Sequence, residues 1–112
     1  MKAINLTRNI EICSRVEKAE GFFSRLAGLI PRSGLDAQEG LWIPQCGMIH
    51  TCFMKFAIDA VFLDRNMKIV RVLVNLKPWR FSPLIIGAKS VLELGAGKTN
   101  SLVTEGDIIE IK

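Results

Sequence analysis

The sequence has little of what marks a specialised class. No apolar stretch approaches the roughly 20 residues that a membrane-spanning helix needs. The longest, Ile69–Leu76 and Ala57–Leu63, are soon broken by charge. The opening Met1–Asn9 segment has no apolar core and no small-residue cleavage site, so a secretory signal is not expected. A soluble, cytoplasmic chain with no membrane association is the expectation. Cysteine is scarce and odd in number (Cys13, Cys46 and Cys52), which points to free, partly buried thiols in a reducing compartment. Histidine occurs once, at His50. The formal net charge is +4, yet basic residues are scattered from Lys2 to Lys112 and form no run. Aromatic ribonucleoprotein motifs, zinc-finger spacing and helix-turn-helix patterns are missing, so there is no strong nucleic-acid signal. No repeat, low-complexity tract or linker divides the 112 residues, and a single domain over 1–112 is expected.

What is present reads as an ordinary globular chain, 49% apolar and 23% charged. Such a length buries roughly two-thirds of the surface its unfolded form exposes, enough to fold without a staple. Residues 3–16 predict two short strands around Thr7-Arg8-Asn9, with Ile10 and Ile12 alternating against Glu11 and Cys13. Over 18–30 the period changes. Phe22, Phe23, Leu26, Ala27 and Ile30 make a helical stripe, Pro31 stops it, and Arg25 lies at its edge. Leu41-Trp42-Ile43 predicts a strand that Pro44 terminates or places at an edge. Ile58–Asp64 and Lys68–Leu76 predict a hairpin around Arg65-Asn66-Met67, with Val70, Val72, Val74 and Leu76 on one apolar face. The first of these strands is apolar on both faces except at Asp59 and Asp64, so it belongs at the centre of a sheet. Lys77–Pro83 reads as an exposed loop, Ser90–Leu94 as a strand broken by Gly95-Ala96-Gly97, and Ile108–Ile111 as the last strand after a Glu105-Gly106-Asp107 turn. The fold class is mainly β (α+β): a compact antiparallel β-sandwich or partly open barrel with one packed helix.

Three segments together are similar to a known family. They are Arg25-Leu26-Ala27-Gly28-Leu29, the string Ile49-His50-Thr51-Cys52-Phe53-Met54 leading into Ile58-Asp59-Ala60-Val61-Phe62-Leu63-Asp64, and Val91-Leu92-Glu93-Leu94-Gly95-Ala96-Gly97 followed by Gly106-Asp107. Over nearly the whole chain this order resembles the bacterial and archaeal Domain of Unknown Function 192 family. The resemblance implies a compact β-rich fold with a helix against it, and no established activity. Members often carry a hydrophobic residue where Cys52 stands and proline where Ala57 stands, which argues against a family-wide catalytic role for Cys52. Many members are also preceded by export signals.

The candidate ligand-binding residues are Arg25, His50, Thr51, Asp59 and Glu93. His50 is the one side chain of a type that ordinarily titrates near neutrality, and it sits in an irregular segment, where packing alone rarely requires a polar side chain. Asp59 and Glu93 fall in strands that should be buried, and a buried carboxylate needs a partner. Arg25, His50 and Thr51 are the available ones. In a structural reading, Asp59 accepts hydrogen bonds that fix the Ile49–Phe53 loop, and Arg25 neutralises Asp59 or Glu93. In a functional reading, Arg25, His50 and Thr51 line a hollow for a small ligand, an anion being one candidate, with Trp79 as a wall. The functional expectation is a small binding or accessory module with a polar pocket for a small-molecule ligand. The alternative is a small hydrolase or metal-dependent enzyme in which His50, oriented by Asp59, acts as general base. No serine stands in a nucleophile elbow, and Cys46 or Cys52 would serve only if brought against His50.

Other motifs are weaker. Cys46-x-x-x-His50-x-Cys52 lacks the second ligand pair of ordinary zinc sites, and Met48 and Met54 are more simply core fillers than copper(I) ligands. No metal or cofactor is called for. Gly97-Lys98-Thr99 ends like a phosphate-binding loop, but the motif's first glycine would fall on Leu92, so it fails. A partner-binding scaffold would instead expose an apolar patch around Trp79, Phe81, Leu84 and Ile85.

Overall fold

A computed structural model describes residues 1–20 and 32–112. Eight strands carry the fold in these residues: β1 (Ala3–Asn5), β2 (Ile10–Cys13), β3 (Arg15–Lys18), β4 (Glu39–Pro44), β5 (Ile58–Leu63), β6 (Ile69–Leu76), β7 (Ser90–Gly95) and β8 (Ile109–Ile111). They form a 3-stranded sheet in the order β2-β1-β8 and a 5-stranded sheet in the order β3-β4-β7-β5-β6. The mainly β class therefore holds, as two sheets that do not close into a barrel among the described residues. The chain passes from one sheet to the other at Ser14, between β2 and β3.

Two expectations are corrected. The sheets are not wholly antiparallel, because β3 pairs parallel with β4, Arg15 opposite Glu39 through Lys18 opposite Trp42. A parallel pair needs a crossover of a dozen or more residues, and the separation of Lys18 from Glu39 in the sequence leaves room for one. The helix expected over 18–30 does not begin there: Lys18 ends β3, and Ala19 and Glu20 are non-helical. The rest of that segment, Arg25 included, lies outside the described residues. Among those described there is no helix.

β5 is central, as an apolar pattern on both faces demands. All six of its residues are buried, with β7 on one side and β6 on the other. Its alternate residues separate two cores. Ile58, Ala60 and Phe62 join Leu41, Ile43 and Val91 in a first core that also takes in Ile49, Met54 and Ile85 from loops. Val61 and Leu63 join Leu92 and Leu94 in a second core with Ala3, Ile12, Cys13 and Ile109 of the 3-stranded sheet. Among the described residues, the 5-stranded sheet is thus covered on one face by the smaller sheet and on the other by loops.

The β5–β6 hairpin turns as expected. Asp64 Oδ1 accepts from the Asn66 and Lys68 amides (2.8 and 3.0 Å), and Met67 takes φ 63°. The apolar face of β6 differs from the simple alternation. Register shifts by one residue between Phe62 and Leu63 and again between Ile58 and Ala60. Each bulge reverses the side-chain parity. Val70, Leu73 and Leu76 therefore pack on the first core, Val72 on the second, and Val74 is exposed.

Candidate functional site

Residues 46–54 and 77–89 form one loop layer over the first core, running antiparallel. Backbone bonds join Cys46 to Lys89 (2.9 Å), Ile85 to Gly47 (3.0 Å), Ser82 to Ile49 (2.9 Å) and Thr51 to Arg80 (2.8 Å). His50 pairs with Phe81 as an isolated bridge. Two buried hydroxyls fasten the layer. Ser82 Oγ accepts the Ile49 amide at 2.9 Å. Thr51 Oγ1 donates to the Lys77 carbonyl at 2.5 Å and accepts the Arg80 amide at 3.0 Å. The Thr51 carbonyl meanwhile accepts from Met54 and Trp79. Thr51 is wholly buried and acts as a rivet, so any part it takes in recognition passes through Arg80.

His50 is half-buried, its Nδ1 accepting the Cys52 amide at 3.2 Å and its ring lying 5.7 Å from that of Phe81. With Nδ1 an acceptor, the neutral ring carries its proton on Nε2. The rings of Phe53 and Trp79 pack with centroids 4.6 Å apart and planes tilted by 59°. Both have left-handed backbone, φ 68° and 64°. For a bulky side chain that conformation is costly and persists only where the surroundings impose it, typically at binding or switch regions.

The two expected carboxylates face opposite ways. Glu93 pairs with Ala60 and is wholly buried, so it shares the face of the sheet that Ile49 and Met54 cover. Asp59 pairs with Leu94 and points into the other face. There its Oδ1 accepts the Asn75 amide (2.8 Å), and its Oδ2 accepts the Thr99 amide and hydroxyl (3.1 and 2.6 Å). The Asn75 amide belongs to the second β6 bulge, where φ is 54°. Asp59 therefore secures that bulge and the loop after β7. A second polar centre completes that face. Buried Asn5 donates to Asp107 (2.8 Å) and to the Leu102 carbonyl (3.0 Å), and Arg8 lies 3.2 Å from the Asp107 carboxylate.

The fold thus brings His50 and Thr51 together, sets Glu93 beneath their side of the sheet, and places Asp59 on the opposite side. The cysteines divide likewise. Cys13 is buried in the second core, while Cys46 and Cys52 belong to the loop layer, the former's thiol donating to the Met48 carbonyl at 3.1 Å. Among the described residues no three His, Cys, Asp or Glu side chains converge as metal ligands.

Beside the layer, the end of β6 and the following loop enclose an open groove of about 460 Å³, lined by Leu73–Lys77 and Arg80–Pro83. Lys77 and Arg80 are the charged groups of that lining. Among the described residues neither pairs with a carboxylate, and the Arg80 guanidinium makes one long bond, to the Trp79 carbonyl (3.4 Å). Residues 40–92 carry seven Lys or Arg against only Asp59 and Asp64. Asp59 is buried and Asp64 caps the hairpin turn. Sequence reasoning names Trp79 as a wall but passes over Lys77, Arg80 and Ser82. The signal available for them is a loop whose charges are all of one sign.

A two-sheet β fold with a loop layer over the larger sheet describes a class shared with solved structures. One is a protein of unknown function from Novosphingobium aromaticivorans, with TM-score 0.82, 20% identity, and 98% of this chain and 82% of that one covered. Another is a putative transcription regulator from Sinorhizobium meliloti, with TM-score 0.78, 24% identity, and coverage of 97% and 89%. Both likenesses concern the fold. The chain itself belongs to the Domain of Unknown Function 192 family, an uncharacterised group whose profile matches residues 4–111. Its relatives include UPF0127 proteins of archaea. That of Pyrococcus furiosus is 36% identical over 111 residues, covering 96% of this chain and 95% of its own. That of Pyrococcus horikoshii is 33% identical, with 96% of each covered.

Proposed function

We propose that this protein is a small binding module that takes an anionic group in the groove between the end of β6 and the Arg80–Pro83 loop. The observation that carries the reading is the charge of that groove. Among the described residues, Lys77 and Arg80 face it without a carboxylate partner and no acidic side chain lines it. An unpaired guanidinium is the group best suited to bidentate contact with phosphate or carboxylate. Phe81 supplies an apolar wall and brings His50 to the groove's border, while Thr51 fixes the Arg80 backbone from behind. Glu93 and Asp59 shape the scaffold under this reading, and neither faces the ligand. The rival enzyme reading asks for an imidazole oriented by Asp59. That carboxylate already accepts from Asn75 and Thr99 on the other face of the sheet.

A thermal-shift series with inorganic pyrophosphate and small phosphomonoesters tests the proposal. A ligand at about 100 times its Kd stabilises the native state by about 2.7 kcal/mol. That raises the melting temperature of a domain of this size by several degrees. Arg80→Ala should abolish the rise and His50→Ala should reduce it, with the ligand-free melting temperature little changed. Equal shifts in wild type and Arg80→Ala would refute the groove as the site.

A further inference from the structure

We infer that the loop layer docks this protein on the surface of an anionic lipid bilayer. The inference rests on the proposed anion site, since it makes Lys77 and Arg80 the contacts to lipid phosphate, and it adds the source of that anion. Its independent support is apolar. Among the described residues nine large hydrophobic side chains are exposed, and six of them, Met48, Phe53, Trp79, Phe81, Leu84 and Ile86, come from this one layer. Ile86 is the extreme, 91% exposed. It stands at the apex of a turn closed by the Ala88 amide on the Ile85 carbonyl (3.1 Å), with Gly87 at φ 88° where a side chain would be strained. Ile85, expected from the sequence in the exposed patch, is turned into the first core instead. The turn thus buries one isoleucine and holds its neighbour out.

Contacts within the layer hold several of these tips in place. Phe53 packs on Trp79 with the rings tilted by 59°, Phe81 lies against His50, and Leu84 lies over Gly47 beside Lys89 in a shallow hollow. Lys77, Arg80 and Lys89 belong to the same layer and Lys55 follows it directly in sequence, while no carboxylate occurs anywhere from residue 65 to residue 92. Aromatic and aliphatic tips accompanied by lysine and arginine match the interfacial zone of a bilayer. Trp and Phe settle there at headgroup level, and cations meet anionic lipid. A second copy of this chain suits the face poorly, because two surfaces of one sign repel. Single-stranded nucleic acid would use the aromatic rings but leave Ile86 and Leu84 without a role, since bases stack on rings.

Sedimentation of the full chain with vesicles tests the inference. Phosphatidylcholine vesicles containing phosphatidylglycerol should bind at least about tenfold better than phosphatidylcholine alone, and added salt should weaken that binding. Ile86→Glu and Phe81→Glu should each cut binding by about tenfold while the melting temperature holds, because both side chains are already in solvent. In a Trp42→Phe background, Trp79 emission should shift to the blue on anionic vesicles. Equal binding to both vesicle types, or full binding by Ile86→Glu, would overturn the inference. So would preferential binding of an oligothymidylate, or a dimer in solution that Ile86→Glu dissolves. If pyrophosphate binds through Arg80 while vesicles do not, membrane docking fails and the groove reading stands. If pyrophosphate stabilises wild type and Arg80→Ala alike while anionic vesicles still bind through Ile86 and Phe81, the groove reading fails and apolar docking remains without its anion site.

Discussion

Asp59 is a buried carboxylate held by uncharged donors: two backbone amides and one hydroxyl. Leaving the buried donors of such bonds orphaned costs more than the bonds themselves contribute. Asp59→Ala strands the Asn75 and Thr99 amides and should destabilise the fold by about 3 kcal/mol. Urea denaturation would show this as a lower midpoint, and an unchanged midpoint would contradict the assignment. Cys13 offers a pH test. Burial pushes its thiol up from 9.0 to about 11, against a smaller opposing pull from Lys98. The folded state therefore favours the protonated thiol. That contribution is fully present below pH 9, shrinks as pH rises, and is gone above about 11. Its size follows from the difference between the folded and unfolded thiols and is roughly 2–3 kcal/mol. Stability measured from pH 8 to 11 should fall in wild type and stay flatter in Cys13→Ala. Parallel curves would show that Cys13 does not titrate as described.

At the scale of elements, the strands whose faces obey a strict alternation are legible from the residues alone. β5 reads as central because it is apolar on both sides, and β2 and β7 emerge near their true bounds. β6 does not, because alternation carries no mark of a bulge. Val74 belongs to the apolar face only if the register never slips, and it slips twice. The parallel partner of β3 is equally hidden, since strand pairing across a long excursion leaves no local pattern. Gly95 shows what such packing demands. A Cβ there would stand 2.9 Å from the Leu35 carbonyl oxygen, a backbone atom with little room to move. Gly95→Ala should cost about 2 kcal/mol, read as a lower melting temperature, and a neutral result would mean that the Leu35 segment yields freely.

For the molecule as a whole, the candidate site is legible in its loop but not in its composition. His50 and Thr51 stand out because a lone histidine and a threonine in an irregular segment are hard to assign to packing. Asp59 groups with them in the sequence because distance along the chain does not reveal which face of a sheet a carboxylate takes. Lys77 and Arg80 escape notice because scattered cations look like ordinary solvation until the fold shows that no described acid accompanies them. The resulting picture is polarised. Among the described residues, one face of the large sheet is closed by the smaller sheet over the hydrogen bonds of Asp59 and of Asn5 with Asp107, and the other carries a loop layer with exposed rings and cations that no carboxylate accompanies. Amide-resolved NMR titration with pyrophosphate tests the central claim most directly. The account predicts shifts concentrated in residues 50–54 and 77–83, with Asn5, Thr99 and Asp107 unmoved. Shifts centred on that opposite network, or none at all, would contradict it.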